Sequence, residues 1–220
     1  ELTYPISYGY AAVGTVEAVG KDVDEEWLGK RVFAFQPHGS CFVSSIDELI
    51  PIPTSVRPQD AVMIPTMETA VSLVMDGDPM IGERAVVFGQ GVVGLLTVTL
   101  LSRHPVSTVF AVEPMSGRRV LATEWGADRA FDPSSGLQPL HDKLNIQGTE
   151  APEVKEETYE GADLVYELSG MPSVLNDALS VTGYNGRIVV GSWYGSKEAP
   201  IGLGGRFHRS RIQVKSSQVS

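Results

Sequence analysis

The sequence is short of cysteine, of positive charge and of long apolar runs, and each shortage removes a class of protein. A single cysteine among 220 residues, Cys41, excludes an internal disulfide framework and any multi-cysteine metal site. The 27 acidic side chains outnumber the 17 lysines and arginines, for a formal charge of −10. A nucleic-acid partner is therefore disfavoured, because a phosphate backbone needs a concentrated basic face. Arg206 to Lys215 is locally basic, but it is short and reads as a solvated strand flank. No apolar run approaches the ~20 residues that span a bilayer, and no signal peptide is recognisable. Together these shortages predict a cytoplasmic protein in a reducing setting, with no membrane and no nucleic-acid partner. What remains, 42% hydrophobic and 20% charged, is ordinary for a globular chain of one or two domains. The chain opens at Glu1, without an initiator methionine and inside a strand-rich stretch, which predicts a piece of a longer polypeptide.

Residues Tyr8 to Pro53 carry short strand-like segments punctuated by glycine: Val13–Gly20, Gly29–Phe35, Cys41–Val43 and Glu48–Pro53. Their regular spacing is the pattern of a small barrel or sandwich. At Arg57-Pro58 the pattern changes. Asp60 to Met75 has helical spacing broken at Pro65, which predicts two helical pieces. From there strands and helices alternate, predicting strands at Ala85–Phe88, Val109–Val112, Arg129–Phe131, Leu164–Glu167, Arg187–Val190 and Ile212–Lys215. Helices are expected at Val92–Leu101, Ser116–Trp125 with Gly126 as its cap, and Ser173–Leu179. That alternation means an α/β fold: a doubly wound parallel sheet with helices on both faces. Asp132 to Glu160 is polar and reads as one helix near Leu140–Leu144 and a mobile acidic loop.

The chemistry concentrates between Arg84 and Leu96. The apolar run to Phe88 is followed by Gly89, Gly91 and Gly94 in the spacing G-x-G-x-x-G, and a helical run containing Val92 and Val93 begins at once. In such a turn the first glycine permits the bend and the second lets a pyrophosphate approach the backbone. The third lets helix and strand pack closely. The helix start offers unpaired N–H groups and the positive end of its dipole to phosphate. The next strand-like run ends in Glu113, 19 residues beyond Gly94, where a dinucleotide fold places the acid that holds the adenosine ribose. The alternative is a glycine-rich turn in an ordinary βαβ unit. A carboxylate there accepts from a free 2′-hydroxyl and repels a 2′-phosphate, so NAD is favoured; Arg118 and Arg119 keep NADP open. Ser169-Gly170 and Gly191-Ser192 follow two later strands and are expected to line the same coenzyme path, or else to be plain strand-to-helix turns.

In order, these segments resemble the medium-chain dehydrogenase/reductase superfamily. The likeness rests on the glycine-punctuated β unit, Leu28-Gly-Lys-Arg-Val32, Ile50-Pro-Ile-Pro53, Gly89-Gln-Gly-Val-Val-Gly94 and Val112-Glu-Pro114 with Arg118-Arg119. Glu124-Trp-Gly-Ala127, Gly161–Gly170 and Gly186–Gly191 continue it. The resemblance implies part of a GroES-like β-barrel catalytic domain over residues 1–57 and a Rossmann domain over 58–220. It also implies hydride transfer with a small-molecule substrate in the cleft between them, and a homodimer formed through the last Rossmann strand. Further parts of the family fold are expected outside the chain.

Where zinc members of that family carry Gly-His-Glu-x-x-Gly, this sequence reads Gly9-Tyr10-Ala11-Ala12-Val13-Gly14, and the later ligand position falls near Pro65. The four-cysteine lobe expected after Arg31-Val-Phe is absent. A tetrahedral catalytic site needs three protein ligands, so no zinc and no other metal is expected. The likeness is then to the bacteriochlorophyllide-dehydrogenase-like and quinone-reductase-like branches, and a zinc-independent NAD(P)-dependent oxidoreductase acting on an alcohol, a carbonyl or an activated alkene is expected. Without a Lewis acid, a side chain must move the proton. Tyr10, Glu68 and His38 are the candidates; a rim tyrosine, a solvated helix glutamate and an exposed loop histidine are the plainer readings of each. A dinucleotide sensor or scaffold without catalysis, or an inactive fragment, stays open beside the oxidoreductase.

Overall fold

The computed structural model describes residues 8–147 and 160–219, so the later part of the expected acidic loop lies outside the described residues. By its internal contacts the chain divides into two compact units, Glu1–Thr66 and Met67–Ser220. The division falls further along than the change of pattern at Arg57-Pro58.

The first unit holds three short antiparallel strands in the order β1 (Ala12–Thr15), β2 (Arg31–Ala34), β3 (Leu49–Pro51). β2 is central: Phe33 lies opposite Val13 on one side and Ile50 on the other. Phe33 and Ala34 are fully buried, which is why this strand forms the unit's core. The strand expected at Cys41–Val43 is not formed. Val43 is 99% exposed, and the three apolar residues find no partner strand among the described residues. The two helical pieces exist as α1 (Pro58–Ala61) and α2 (Ile64–Gly77). Pro65 sits in the first turn of α2, where its missing N–H leaves no bond unmade, so the break comes just before it.

The second unit is a six-stranded parallel sheet of β4 (Arg84–Phe88), β5 (Thr108–Val112), β6 (Arg129–Phe131), β7 (Ala162–Glu167), β8 (Thr182–Val190) and β9 (Gln213–Ser216). Its spatial order is β6-β5-β4-β7-β8-β9, the doubly wound dinucleotide order that reverses direction between β4 and β7. The connecting helices are α3 (Val92–Leu101), α4 (Ser116–Glu124), α5 (Gln138–Lys143) and α6 (Val174–Val181). Successive strand residues point to opposite faces. Val86 and Phe88 therefore pack with Leu140, Leu144 and Leu175, while Ala85 and Val87 pack with Leu73, Leu95 and Leu101. Both faces are covered, so these strands read as continuous apolar runs rather than alternating ones. Gly126, at φ +117°, closes α4 as expected. No helix of the described residues is long and apolar enough to cross a membrane.

Two features depart from the sequence reading. β8 begins at Thr182, five residues before the expected Arg187, across a register irregularity in its pairing with β7. Arg206 is buried rather than part of a solvated flank: its Nε donates to the Thr182 carbonyl at 2.9 Å and its guanidinium meets Glu160 at 3.1 Å. Tertiary partners, not local composition, decided that residue.

At the amino edge of the sheet Arg187 ties three segments together. It donates to both oxygens of Glu83, at 2.6 and 2.7 Å, and to the Gly77 and Asp78 carbonyls that end α2. Burial pushes the Glu83 carboxyl up. The Arg187 hydrogen bonds, the Met80 amide and the Arg187 charge outweigh it and leave the pKa below the ordinary value. Arg187→Ala should lower the unfolding free energy in urea by about 2–3 kcal/mol. That is less than the ~3–5 kcal/mol for breaking a fully buried pair, because the arginine side chain keeps 21% of its exposure. With a lowered folded pKa, the Glu83 contribution is present above its unfolded value of about 4.3 and is lost as pH falls through the folded one. Glu83→Gln should flatten that acid limb of the stability profile; an unchanged acid slope contradicts the assignment.

Candidate functional site

The carboxyl edge of the sheet gathers the turn after β4, the end of β5 and the turns after β7 and β8. The first of these is shaped by two glycines that cannot be replaced without moving backbone. At Gly89, φ +86°, an added Cβ would stand 2.7 Å from the backbone of Leu168 and Ser169. At Gly94 it would stand 1.9 Å from the Gly89 carbonyl oxygen, so α3 is seated directly on the strand end. Gly91 differs: nothing lies within 4 Å of its Cβ position. The three glycines thus sort into two that close the fold and one that keeps a space open.

Behind that space α3 begins, with Gly91 as N-cap and no side-chain hydrogen bond to the cap. The first-turn amides of Val92, Val93 and Gly94 are left to a ligand or solvent, at the positive end of the helix dipole. Beside it, Glu113 follows β5 and is only 4% exposed. Its Oε2 accepts from the Gln90 amide at 2.8 Å and its Oε1 from the Met115 amide at 3.0 Å. The carboxylate is therefore aimed, and tied to the glycine turn. Arg118 stands 3.9 Å from Glu113 Oε2 with its side chain half exposed. Arg119 is engaged differently: it donates to the Glu113 and Pro114 carbonyls and pairs with Asp132 at 3.0 Å. Of the two arginines, only Arg118 lies beside the carboxylate.

On the other side of the reversal point, Ser169-Gly170 and Gly191-Ser192 do come together at adjacent strand ends. The Gly170 amide donates to Ser192 Oγ at 2.8 Å, and that hydroxyl donates to the Glu167 carbonyl at 3.3 Å. Ser169 donates through both its amide and its hydroxyl to Glu167 Oε1. These serine hydroxyls thus have protein partners. Glu167 itself was not singled out from sequence; its signal is a carboxylate closing the buried run Leu164-Val-Tyr166.

The proposed proton-transfer residues divide between the units. Tyr10 and His38 both lie in the first: the His38 amide donates to the Tyr8 carbonyl at 3.0 Å, and the His38 ring fills the space where a Gly9 Cβ would be. Tyr10 is 63% exposed. Glu68 lies on α2 in the second unit and is exposed. Among the described residues no group of three His, Cys, Asp or Glu side chains is arranged to hold a metal ion. A cavity of about 270 Å³ opens between Val71, Val74 and Met75 of α2 and Leu100 and His104 at the far end of α3. That is the amino edge of the sheet, away from the glycine turn.

Comparison with known proteins agrees with this geometry. Residues 92–220 match the family model described as zinc-binding dehydrogenase, which is more than half the chain. The (R,R)-butanediol dehydrogenase of Bacillus subtilis (strain 168) is 25% identical over 244 residues, covering 99% of this chain and 65% of that protein. The chain spans less than two thirds of the length of the curated relatives named first among its matches. Among solved structures, an alcohol dehydrogenase (rspB) from Escherichia coli CFT073, complexed with NADH, superposes with a TM-score of 0.74 at 21% identity. It covers 94% of this chain and 66% of its own. A zinc-binding dehydrogenase from Sinorhizobium meliloti 1021, bound to NADP, gives a TM-score of 0.74 at 20% identity over 98% of this chain and 69% of its own. On this evidence the chain belongs to the zinc-binding dehydrogenase family of the medium-chain dehydrogenase/reductase superfamily.

Proposed function

We propose that this chain is the coenzyme-binding and partial catalytic portion of an NAD-dependent oxidoreductase that works without catalytic zinc. The observation that carries the reading is the uncapped start of α3 behind an open Gly91, with an aimed carboxylate on the neighbouring strand. The residues fit a dinucleotide. The amides of Val92, Val93 and Gly94 receive the diphosphate, and Glu113 accepts from the adenosine ribose hydroxyls. Gly170 and Gly191 bound the other half of the path. When bound, the nicotinamide supplies or receives a hydride. Tyr10, His38 and Glu68 are the candidates for the proton, Tyr10 first among them.

Zinc does not fit the positions available to it. The family's ligand positions hold Tyr10, Ala11 and Pro65: one phenol and two side chains with no donor atom. No step is therefore assigned to a metal. One of the candidate side chains, Tyr10 first among them, gives a proton to the substrate oxygen during carbonyl reduction and takes it back during alcohol oxidation. The substrate class is an alcohol or carbonyl, with an activated alkene as the alternative. The full-length protein is read as a homodimer with a small-molecule substrate.

The glycine assignments give a direct test. Gly91→Ala should keep the melting temperature of the wild type and weaken NADH binding at least about tenfold, since a methyl group intrudes on the diphosphate path. Gly94→Ala should instead lose stability, because its Cβ strikes the Gly89 carbonyl. Equal NADH affinity in Gly91→Ala contradicts the assigned path.

Cofactor choice is read by fluorescence titration of NADH and NADPH. Wild type should prefer NADH, and Glu113→Ala should narrow the ratio by about tenfold or more, one hydrogen-bonded charge being worth roughly 1.5–3 kcal/mol. A wild-type preference for NADPH overturns the assignment. Binding of NADH without turnover across a panel of alcohols and carbonyls by the full-length protein favours a sensor instead. For the zinc-free reading, metal analysis of the full-length protein should find no stoichiometric zinc, and activity should survive a chelator.

A further inference from the structure

Glu167 is fully buried at the end of β7, and no salt bridge to it is found among the described residues. A carboxylate removed from water without a cation is unfavourable unless hydrogen bonds replace its hydration. Here they come from both neighbouring turns. Oε1 accepts the amide (2.8 Å) and the hydroxyl of Ser169, from the turn after β7. Oε2 accepts the hydroxyl of Tyr194, from the loop after β8. Burial, reinforced by that hydrogen bond and by the nearby carboxylate charge, raises the Tyr194 pKa, so the phenol stays a donor across ordinary pH.

The same two segments are stitched together around this centre. Ser192 Oγ accepts from the Gly170 amide and donates to the Glu167 carbonyl. Lys197 Nζ donates to the Gly170 carbonyl at 3.0 Å, and the Lys197 amide donates to the Tyr194 carbonyl at 3.1 Å. The turn after β7 in turn abuts Gly89, whose Cβ position is occupied by Leu168 and Ser169 backbone. The glycine turn, the β7 turn and the β8 loop thus form one continuous edge, and among the described residues the only charged side chain buried in it on the β7–β8 side is Glu167.

We propose that Glu167 is a positioning residue for the coenzyme: through Ser169 and Tyr194 it locks the β7 turn to the β8 loop and so presets the edge that receives the half of the dinucleotide beyond the diphosphate. This rests on the coenzyme reading above. With Glu113 holding the adenosine half on the β5 side of the reversal point, the other half extends over β7 and β8. The carboxylate does no chemistry on substrate. It replaces a flexible loop with a fixed one, which lowers the ordering cost of binding.

A general structural role would affect every ligand alike, so the test compares two. Tyr194→Phe and Glu167→Gln should weaken NADH about tenfold, a hydrogen bond to a buried charge being lost. Both should leave ADP, which reaches only the adenosine half, within about twofold of wild type. In the coenzyme-free protein, amide hydrogen exchange at Gly170 and Met171 should quicken in Tyr194→Phe while the β4 and β5 amides keep wild-type protection. Tyr194→Phe keeps the ring and serves where Glu167→Gln fails to fold. Equal weakening of NADH and ADP, unchanged NADH affinity, or unchanged exchange each overturns the Glu167 assignment. Wild type that binds ADP but gains nothing from the nicotinamide half overturns the coenzyme reading itself, whatever the exchange shows.

Discussion

The seating of α3 on the end of β4 is the constraint from which the rest of the second unit follows. Because Gly94 has no Cβ, the helix lies against the Gly89 carbonyl at a distance no other residue permits. That contact delivers the uncapped helix start to the carboxyl edge of the sheet. The Gln90 amide then turns toward β5 and fixes the Glu113 carboxylate. Shift the helix outward by one methyl group, and turn, amides and acid lose their common register.

The two edges of the sheet use buried carboxylates for different ends. At the amino edge Glu83 is matched by Arg187, and the pair holds the end of α2 to β8. At the carboxyl edge Glu113 and Glu167 are buried with backbone amides and hydroxyls as their main partners. An ion pair satisfies its charge internally. A carboxylate held mainly by amides and hydroxyls keeps more of its charge, which on the proposed reading suits a ribose hydroxyl at Glu113. Both oxygens of each carboxylate accept from within the chain; at Glu167 the donors come from two different turns, which on the proposal above ties those turns together.

On the zinc-free reading, the first unit differs from zinc-binding relatives in its donor atoms. That reading sets Tyr10, Ala11 and Pro65 at the positions where a metal would need imidazole, carboxylate or thiolate. The unit carries instead the phenol of Tyr10 and, packed over Gly9, the imidazole of His38. Proton transfer is chemistry that both groups can perform, and it is the part of the reaction that a Lewis acid would otherwise ease.

The sequence by itself determined the alternation of elements from β4 onward, because each strand is buried on both faces and must be apolar throughout, and because the glycine turn has few conformations open to it. It did not determine the strand at Cys41–Val43, where local apolarity found no partner, nor the burial of Arg206, whose acceptors at Glu160 and Thr182 lie 46 and 24 positions away in the chain. The place of Glu113 at a strand end beside the glycine turn was legible, since it follows from the spacing of two apolar runs. Glu167 was not, since its meaning depends on Tyr194, 27 residues later, arriving at the next strand end. Local periodicity and turn chemistry act over a few residues and can be read along the chain. Hydrogen bonds between strand ends exist only once the order β4-β7-β8 has been assembled, and the tertiary structure alone decides those.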